Sequence, residues 1–141
     1  MIILDTNVLS ALMKVRPEPQ VVTWLDRQPA DSVWLTSITV FEARYGVACL
    51  PAGRKRQALD AALSAVLEDD LANRVLELDG AAATAAADLA ASRRRRGEVV
   101  DLRDTLIAGI AISRRATIAT RNVRHFSELD VTVVDPWSSS T

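Results

Sequence analysis

The chain opens MIILDTNVLS (Met1–Ser10), and its architecture follows from this stretch. Ile2, Ile3 and Leu4 run straight into Asp5, then Thr6 and Asn7, then Val8 and Leu9. A short apolar run of this kind reads as a buried strand. A carboxylate at its exit, followed by small polar residues, marks a sheet edge turning into a helix, expected from Asn7 to about Met13. In open parallel α/β sheets, ligands gather outside the carboxyl ends of the strands. Asp5 is therefore a candidate first ligand of a metal site, and equally a candidate cap for the helix behind it.

Outward from this stretch, the pattern alternates. RPEP at Arg16–Pro19 breaks the first helix, and Val21, Val22 and Leu25 mark a second one, ended by Gln28-Pro29. VWLT at Val33–Thr36 is a second strand. Thr39 and Glu42 form a capping-box pattern, predicting a third helix from Val40 with Phe41, Tyr45 and Ala48 facing inward. A fourth helix is expected from Arg54 to about Glu68, striped by Leu59, Leu63 and Val66 or Leu67. Val75–Leu78 is a third strand, and Asp79 caps an alanine-rich helix running from Gly80 to Arg93–Arg96, stopped by Gly97. Asp101 and Asp104 open LRDTLIAGIAISRR, Thr117–Thr120 is strand four, NVRHF is a polar turn, and Val131–Val134 is strand five. Strands alternating with helices through short loops give βαβ units. The expected fold is α/β: three layers, with a mainly parallel sheet of about 4–5 strands flanked by helices. It forms one domain over 1–137 with a polar tail at 138–141.

The totals agree with a single domain. The 141 residues are 49% hydrophobic with a formal net charge of -1, a globular composition rather than a disordered one. The apolar start lacks a basic leader and no run is long enough to span a membrane. The lone Cys49 fits a reducing compartment, so cytoplasm is the expected location and no membrane partner is expected. Cations are nearly all arginine, the better partner for phosphate. With one histidine, His125, and one cysteine, a zinc site of nitrogen and sulfur ligands is disfavoured. No nucleophile elbow, P-loop or dinucleotide fingerprint is present. Carboxylate is what remains in quantity, and oxygen-only sites suit magnesium or manganese.

Three carboxylates share one structural address. Asp5 leaves strand one, Glu42 opens the helix after strand two, and Asp104 opens the helix before strand four. Each admits a purely structural role: cap, capping-box partner, or first-turn charge facing the helix dipole. Together, without a paired cation, they repel one another, and a divalent ion removes that repulsion. Thr120 and Asn122, at the end of strand four, reach the same edge and either orient water, substrate or an acid, or simply form a turn. Arg93–Arg96 reads as a solvated helix end or as a phosphate-contacting patch. His125 reads as a packing or capping residue rather than a general base.

Four segments carry a resemblance: MIILDTNVLSAL, SITVFEARYGV, LRDTLIAGIAI and ATIATRNVRHF. In order and spacing the chain resembles the PIN-domain nucleases, and within them the VapC-type toxins of bacterial toxin–antitoxin pairs, including those labelled plasmid stability proteins. The resemblance implies metal-dependent RNA hydrolysis with Asp5, Glu42 and Asp104 as the catalytic acids. It makes Asp5 and Asp104 the principal Mg2+ ligands, with Mn2+ substituting, and Thr6 and Thr120 supporting polar positions. Asn122 stands where many PIN domains carry a fourth acid, which argues against a full second metal site. Arg93, Arg94, Arg95, Arg96, Arg121 and Arg124 are candidate RNA contacts. The resemblance also implies a homodimer and a small antitoxin partner, for which the Arg54–Glu68 helix is a candidate seat.

Two other classes fit less well. A haloacid-dehalogenase phosphatase needs a second acid where Asn7 stands, and a receiver domain needs a late lysine, whereas the only lysines are Lys14 and Lys55. A PIN-like module that binds RNA without cutting it remains the main alternative, separable by metal-dependent cleavage.

Overall fold

The computed structural model describes residues 1–138. In chain order the elements are β1 (Ile2–Leu4), α1 (Thr6–Met13), α2 (Pro19–Asp26), β2 (Val33–Thr36), α3 (Ser37–Ala48), α4 (Arg54–Ala65), β3 (Val75–Leu76), α5 (Gly80–Arg95), α6 (Leu102–Arg114), β4 (Thr117–Ala119) and β5 (Val133–Val134). The five strands form one sheet in the order β3-β2-β1-β4-β5, and each neighbouring pair is parallel. The expected α/β class and strand number hold. Of the expected tail, only Ser138 falls within the described residues.

The strand order explains why β1 matters most. It lies at the centre, with Ile2 paired to Val33 on one side and to Thr117 on the other. Successive strand residues point to opposite faces, so Leu4 enters the core shared with α1, α2 and α4, while Ile3 enters the core shared with α5 and α6. Both are fully buried, which accounts for an unbroken aliphatic run in place of alternation. The chain builds outward from β1 to β3, then returns to place β4 on the other side. The switch point therefore falls between the carboxyl ends of β1 and β4, where a crevice is expected. Asp5 stands there, its backbone N–H donating to the Ala119 carbonyl at 2.9 Å.

Side-chain caps set the helix starts. Asp5, Asp79 and Asp101 accept from the backbones of Thr6, Ala82 and Asp104. Gly97, at φ +75°, follows the end of α5, a left-handed position that glycine takes without strain. Against α5, α6 is packed so tightly that a Cβ on Gly109 would lie 2.5 Å from the Ala82 carbonyl oxygen and 2.7 Å from the Ala86 Cβ. The alanine-rich sequence of α5 therefore serves close helix packing as well as propensity.

The third helix departs from expectation. It begins at Ser37, and its cap is Thr36, whose hydroxyl accepts from the Thr39 N–H at 3.1 Å. Thr39 is thus inside the helix, and Glu42 is released from any capping box. The inner face is Thr39 and Val47, with Val40 and Ala43 against the core. Phe41 and Tyr45 are instead exposed, their rings stacked at 5.9 Å. The fourth helix turns the expected stripe of Leu59, Leu63, Val66 and Leu67 to the core, but its α-helical part ends at Ala65 and Val66–Asp70 continues as a π turn. Strands three and five are shorter than expected, because pairing to the neighbouring strand ends sooner than the apolar run does.

Candidate functional site

At the β1–β4 switch point, Asp5 is almost wholly buried. One carboxylate oxygen accepts from the Thr6 N–H at 2.8 Å. The other accepts from the Thr120 hydroxyl at 2.8 Å and from the Asn7 amide at 3.4 Å. Burial raises the Asp5 pKa; the bonds from Thr120 and Thr6 oppose this, and the negative charge of Asp104 adds to it. The capping role of Asp5 is real, yet a cap needs only one oxygen at a solvated helix end. Burying the whole group beside other acids is a cost that capping does not explain.

Glu42 arrives from the second turn of α3. Its Oε1 accepts from the Thr6 hydroxyl at 2.9 Å and its Oε2 from Arg103 at 3.4 Å. Its pKa is raised by burial, lowered by Thr6 and Arg103, and raised further by the charges of Asp5 and Asp104. Asp104 arrives from the first turn of α6, with Oδ2 2.6 Å from His125 Nδ1. The α6 helix starts at the carboxyl edge of the sheet and returns the chain to the start of β4, where Thr117 N–H meets the Met1 carbonyl. That is the crossover geometry Asp104 requires.

The acids thus come from three elements to one edge, close enough that the charge of Asp104 acts on both Asp5 and Glu42. Their donor atoms are all oxygen, the set that magnesium and manganese prefer. Among the described residues, no three His, Cys, Asp or Glu side chains already form a metal-holding group. Glu42 is turned to Thr6 and Arg103, and Asp104 to His125. An ion held between the acids would compete with Arg103 for Glu42 and with His125 for Asp104, while Asp5 is already fixed by Thr6, Asn7 and Thr120. The donor chemistry fits a hard divalent cation, and Asp5 is the acid whose position is already fixed.

Residues 2–131 match the PIN domain family. The chain belongs to that family. VapC ribonuclease Y4jK of Sinorhizobium fredii is 37% identical to this PIN domain over 137 residues, covering 97% of this chain and 98% of that protein. Toxin FitB of Neisseria gonorrhoeae is 36% identical over 97% of this chain and 99% of its own. Among solved structures, that of FitAB bound to an IR36 DNA fragment superposes with a TM-score of 0.88 at 35% identity, covering 100% of this chain and 99% of that one.

Around the acids of this PIN domain, Thr6 donates to Glu42 and Thr120 to Asp5. Asn122 differs. Its exposed side chain makes no bond to the acids among the described residues, and its backbone N–H donates to Thr120 Oγ1 at 3.0 Å. The amide inside the site is Asn7, which donates to Asp5 and Thr120 and accepts from the Arg121 N–H at 3.2 Å. Its position two residues after Asp5, in the first turn of α1, was a usable signal. The contacts of His125 with Asp104 and of Arg103 with Glu42 had none, since both depend on how α6 meets its neighbours.

The arginine run divides. Arg93 is buried, pairing with Glu128 at 2.7 Å and donating to Thr105 at 3.3 Å and to the His125 carbonyl at 2.7 Å. It is a structural clamp rather than a surface RNA contact. Arg96 is held by Glu98 and Glu128. Arg94 and Arg95 are exposed at the end of α5. Arg124 lines a cavity of about 410 Å³ shared with Asp104 and His125.

Proposed function

We propose that this PIN domain is the toxin of a toxin–antitoxin pair, acting as a magnesium-dependent endoribonuclease that hydrolyses RNA phosphodiester bonds. The observation that carries this reading is the convergence of Asp5, Glu42 and Asp104 at one switch point, with Asp5 and Glu42 both held above their ordinary pKa, chiefly by burial and in lesser part by the charge of Asp104 on both and of Asp5 on Glu42. The names of its relatives, a VapC ribonuclease and a toxin, support it.

Asp5 and Asp104 would hold the ion, and Glu42 would complete the site or orient water. A bound divalent ion supplies activated water and neutralises charge on the phosphoryl oxygen. Thr6 and Thr120 fix the carboxylates, and Asn7 ties Asp5 to the end of β4. Asn122 stands at the rim as a neutral group, which favours one principal ion. Arg94, Arg95, Arg121 and Arg124 supply exposed positive charge for the strand.

A cavity of about 350 Å³ between α1, α3 and α4, walled by Met13, Val47, Leu50 and Leu59, adjoins Thr6 and Glu42. It suits an apolar antitoxin segment seated next to the acids, and the FitAB complex supports such a partner. Lys55 and Leu59 of the cavity wall belong to the Arg54–Glu68 region expected to receive such a partner. The stacked Phe41 and Tyr45 suit a second copy in a homodimer.

The test is cleavage of RNA with magnesium by the wild type, Asp5→Asn and Asp104→Asn. Loss of cleavage by at least about 100-fold in both variants is expected, on the scale of removing an electrostatic catalytic group. Equal cleavage by all three would sink the assignment. RNA binding without cleavage by the wild type would favour the non-catalytic alternative.

A further inference from the structure

One surface feature beside the acids is unexplained by metal holding or by the core. The Arg121 guanidinium carbon lies 4.9 Å from the centroid of the Trp137 ring, yet Arg121 remains exposed. The guanidinium thus lies over the indole while the residue as a whole stays open to solvent. The ring beneath is fixed twice. It packs against the core, and its Nε1 donates to Glu18, itself held by Lys14 at 2.9 Å. Arg121 is also fixed at its backbone, donating to Asn7 Oδ1 at 3.2 Å. Asn7 in turn contacts Asp5, and Arg121 directly follows Thr120, which also holds Asp5. Arg121 therefore leaves the backbone at the rim of the acid site, beside Asn7 and Thr120, which both hold Asp5.

We propose that Arg121, backed by Trp137, is a stacking platform for an unpaired nucleobase next to the phosphate to be cut. This rests on the reading of the protein as an RNA-cleaving enzyme. Sequence-tolerant recognition of single strands works by stacking bases on aromatic rings and on guanidinium planes. A cation held over an indole keeps its planar face and gains rigidity, so little side-chain freedom is lost when a base stacks on it. A bare phosphate contact would need only charge, which the neighbouring Arg124 already offers, and would not need the plane fixed from below. The platform makes Arg121 a determinant of which strand geometry is accepted: the base beside the cut must be free to turn out of a helix.

The experiment uses the full chain and fluorescent oligoribonucleotides of about ten nucleotides, each with one abasic position moved along the strand. Dissociation constants are measured in EDTA by anisotropy, and cleavage is followed separately in magnesium. With the wild type, one abasic position weakens binding about tenfold, the lower part of the range for one stacked base. In Arg121→Ala that penalty disappears, because the platform is already gone. Arg121→Lys keeps the charge and loses the plane, so it behaves like Arg121→Ala. An abasic penalty of equal size in wild type and Arg121→Ala overturns the proposal. So does full recovery in Arg121→Lys, which would make the contact a simple charge on phosphate. Binding in EDTA decides the platform whether or not the protein cuts. Failure of the wild type to cleave intact RNA in magnesium counts against the enzymatic reading alone.

Discussion

Replacing Thr120 by valine exchanges one hydroxyl at the centre of the site for a methyl group of similar size. Thr120 is fully buried. Its hydroxyl donates to Asp5 Oδ2 at 2.8 Å and accepts from the Asn122 N–H at 3.0 Å and the Asn7 amide at 3.3 Å. Asn122 is exposed and can turn its N–H to water, and Asn7 keeps its contact with Asp5, so the main loss is the bond to the carboxylate. A hydrogen bond to an ionised group contributes about 1.5–3 kcal/mol, and one between neutral groups about 1 kcal/mol. The pH dependence has a definite sign. The folded-state pKa of Asp5 is raised above its unfolded value, so folding favours its protonated form; that contribution is complete below the unfolded pKa and is lost as pH rises through the folded one. The Thr120 bond is a force that lowers this pKa. Its removal raises the pKa further and harms the ionised form most. Thr120→Val is therefore expected to cost about 1 kcal/mol near pH 4 and about 2–3 kcal/mol near pH 8. The second figure corresponds to a fall in Tm of about 5–10 °C for a chain of this size. Urea titrations in EDTA across that range measure it. A cost independent of pH, or larger on the acid side, would refute the account of how Asp5 is held.

The remaining expectations concern the scaffold. Gly109→Ala places a Cβ 2.5 Å from the Ala82 carbonyl oxygen, so overpacking of about 1–3 kcal/mol should outweigh a helix-propensity gain of about 1 kcal/mol. By contrast, Gly46→Ala, with nothing within 4 Å, should stabilise; thermal melts of the two variants moving in the same direction would contradict the packing described. Arg93→Met removes the clamp on Glu128, Thr105 and the His125 carbonyl and should cost about 2–3 kcal/mol. A urea midpoint equal to that of the wild type would return Arg93 to the surface class that the sequence suggested.

Much was readable from the residues because it depended on neighbours in sequence. Ile2–Leu4 could only be a buried strand, Asp79 and Asp101 could be read as caps from the helices behind them, and the strand–helix alternation required a parallel sheet. The convergence of the acids was legible because Asp5 ends a strand, Asp104 opens a helix and Glu42 lies near the start of another, and parallel topology brings such positions to one edge. Where the reading failed, long-range packing made the decision. Thr39 looked like a cap because Glu42 follows it at the right spacing; the true cap, Thr36, is set by where β2 leaves the sheet. Phe41 and Tyr45 looked like core because they are large and apolar, but the inner face of α3 is the one that meets α1 and α4.

The sequence by itself determined the chemistry available: carboxylate oxygens in quantity, and arginine in place of nearly all lysine. It also determined the fold class, since the period of its apolar residues is a local property. The tertiary structure decided which side chains touch. Only the packing of α5 against α6 could bury Arg93 while leaving Arg94 and Arg95 exposed. Only the β1–β4 contact could make Asn7, and not Asn122, the amide beside Asp5. Contacts between residues more than a hundred positions apart, such as Thr120 with Asp5, arise from strand order, and no local pattern encodes that order.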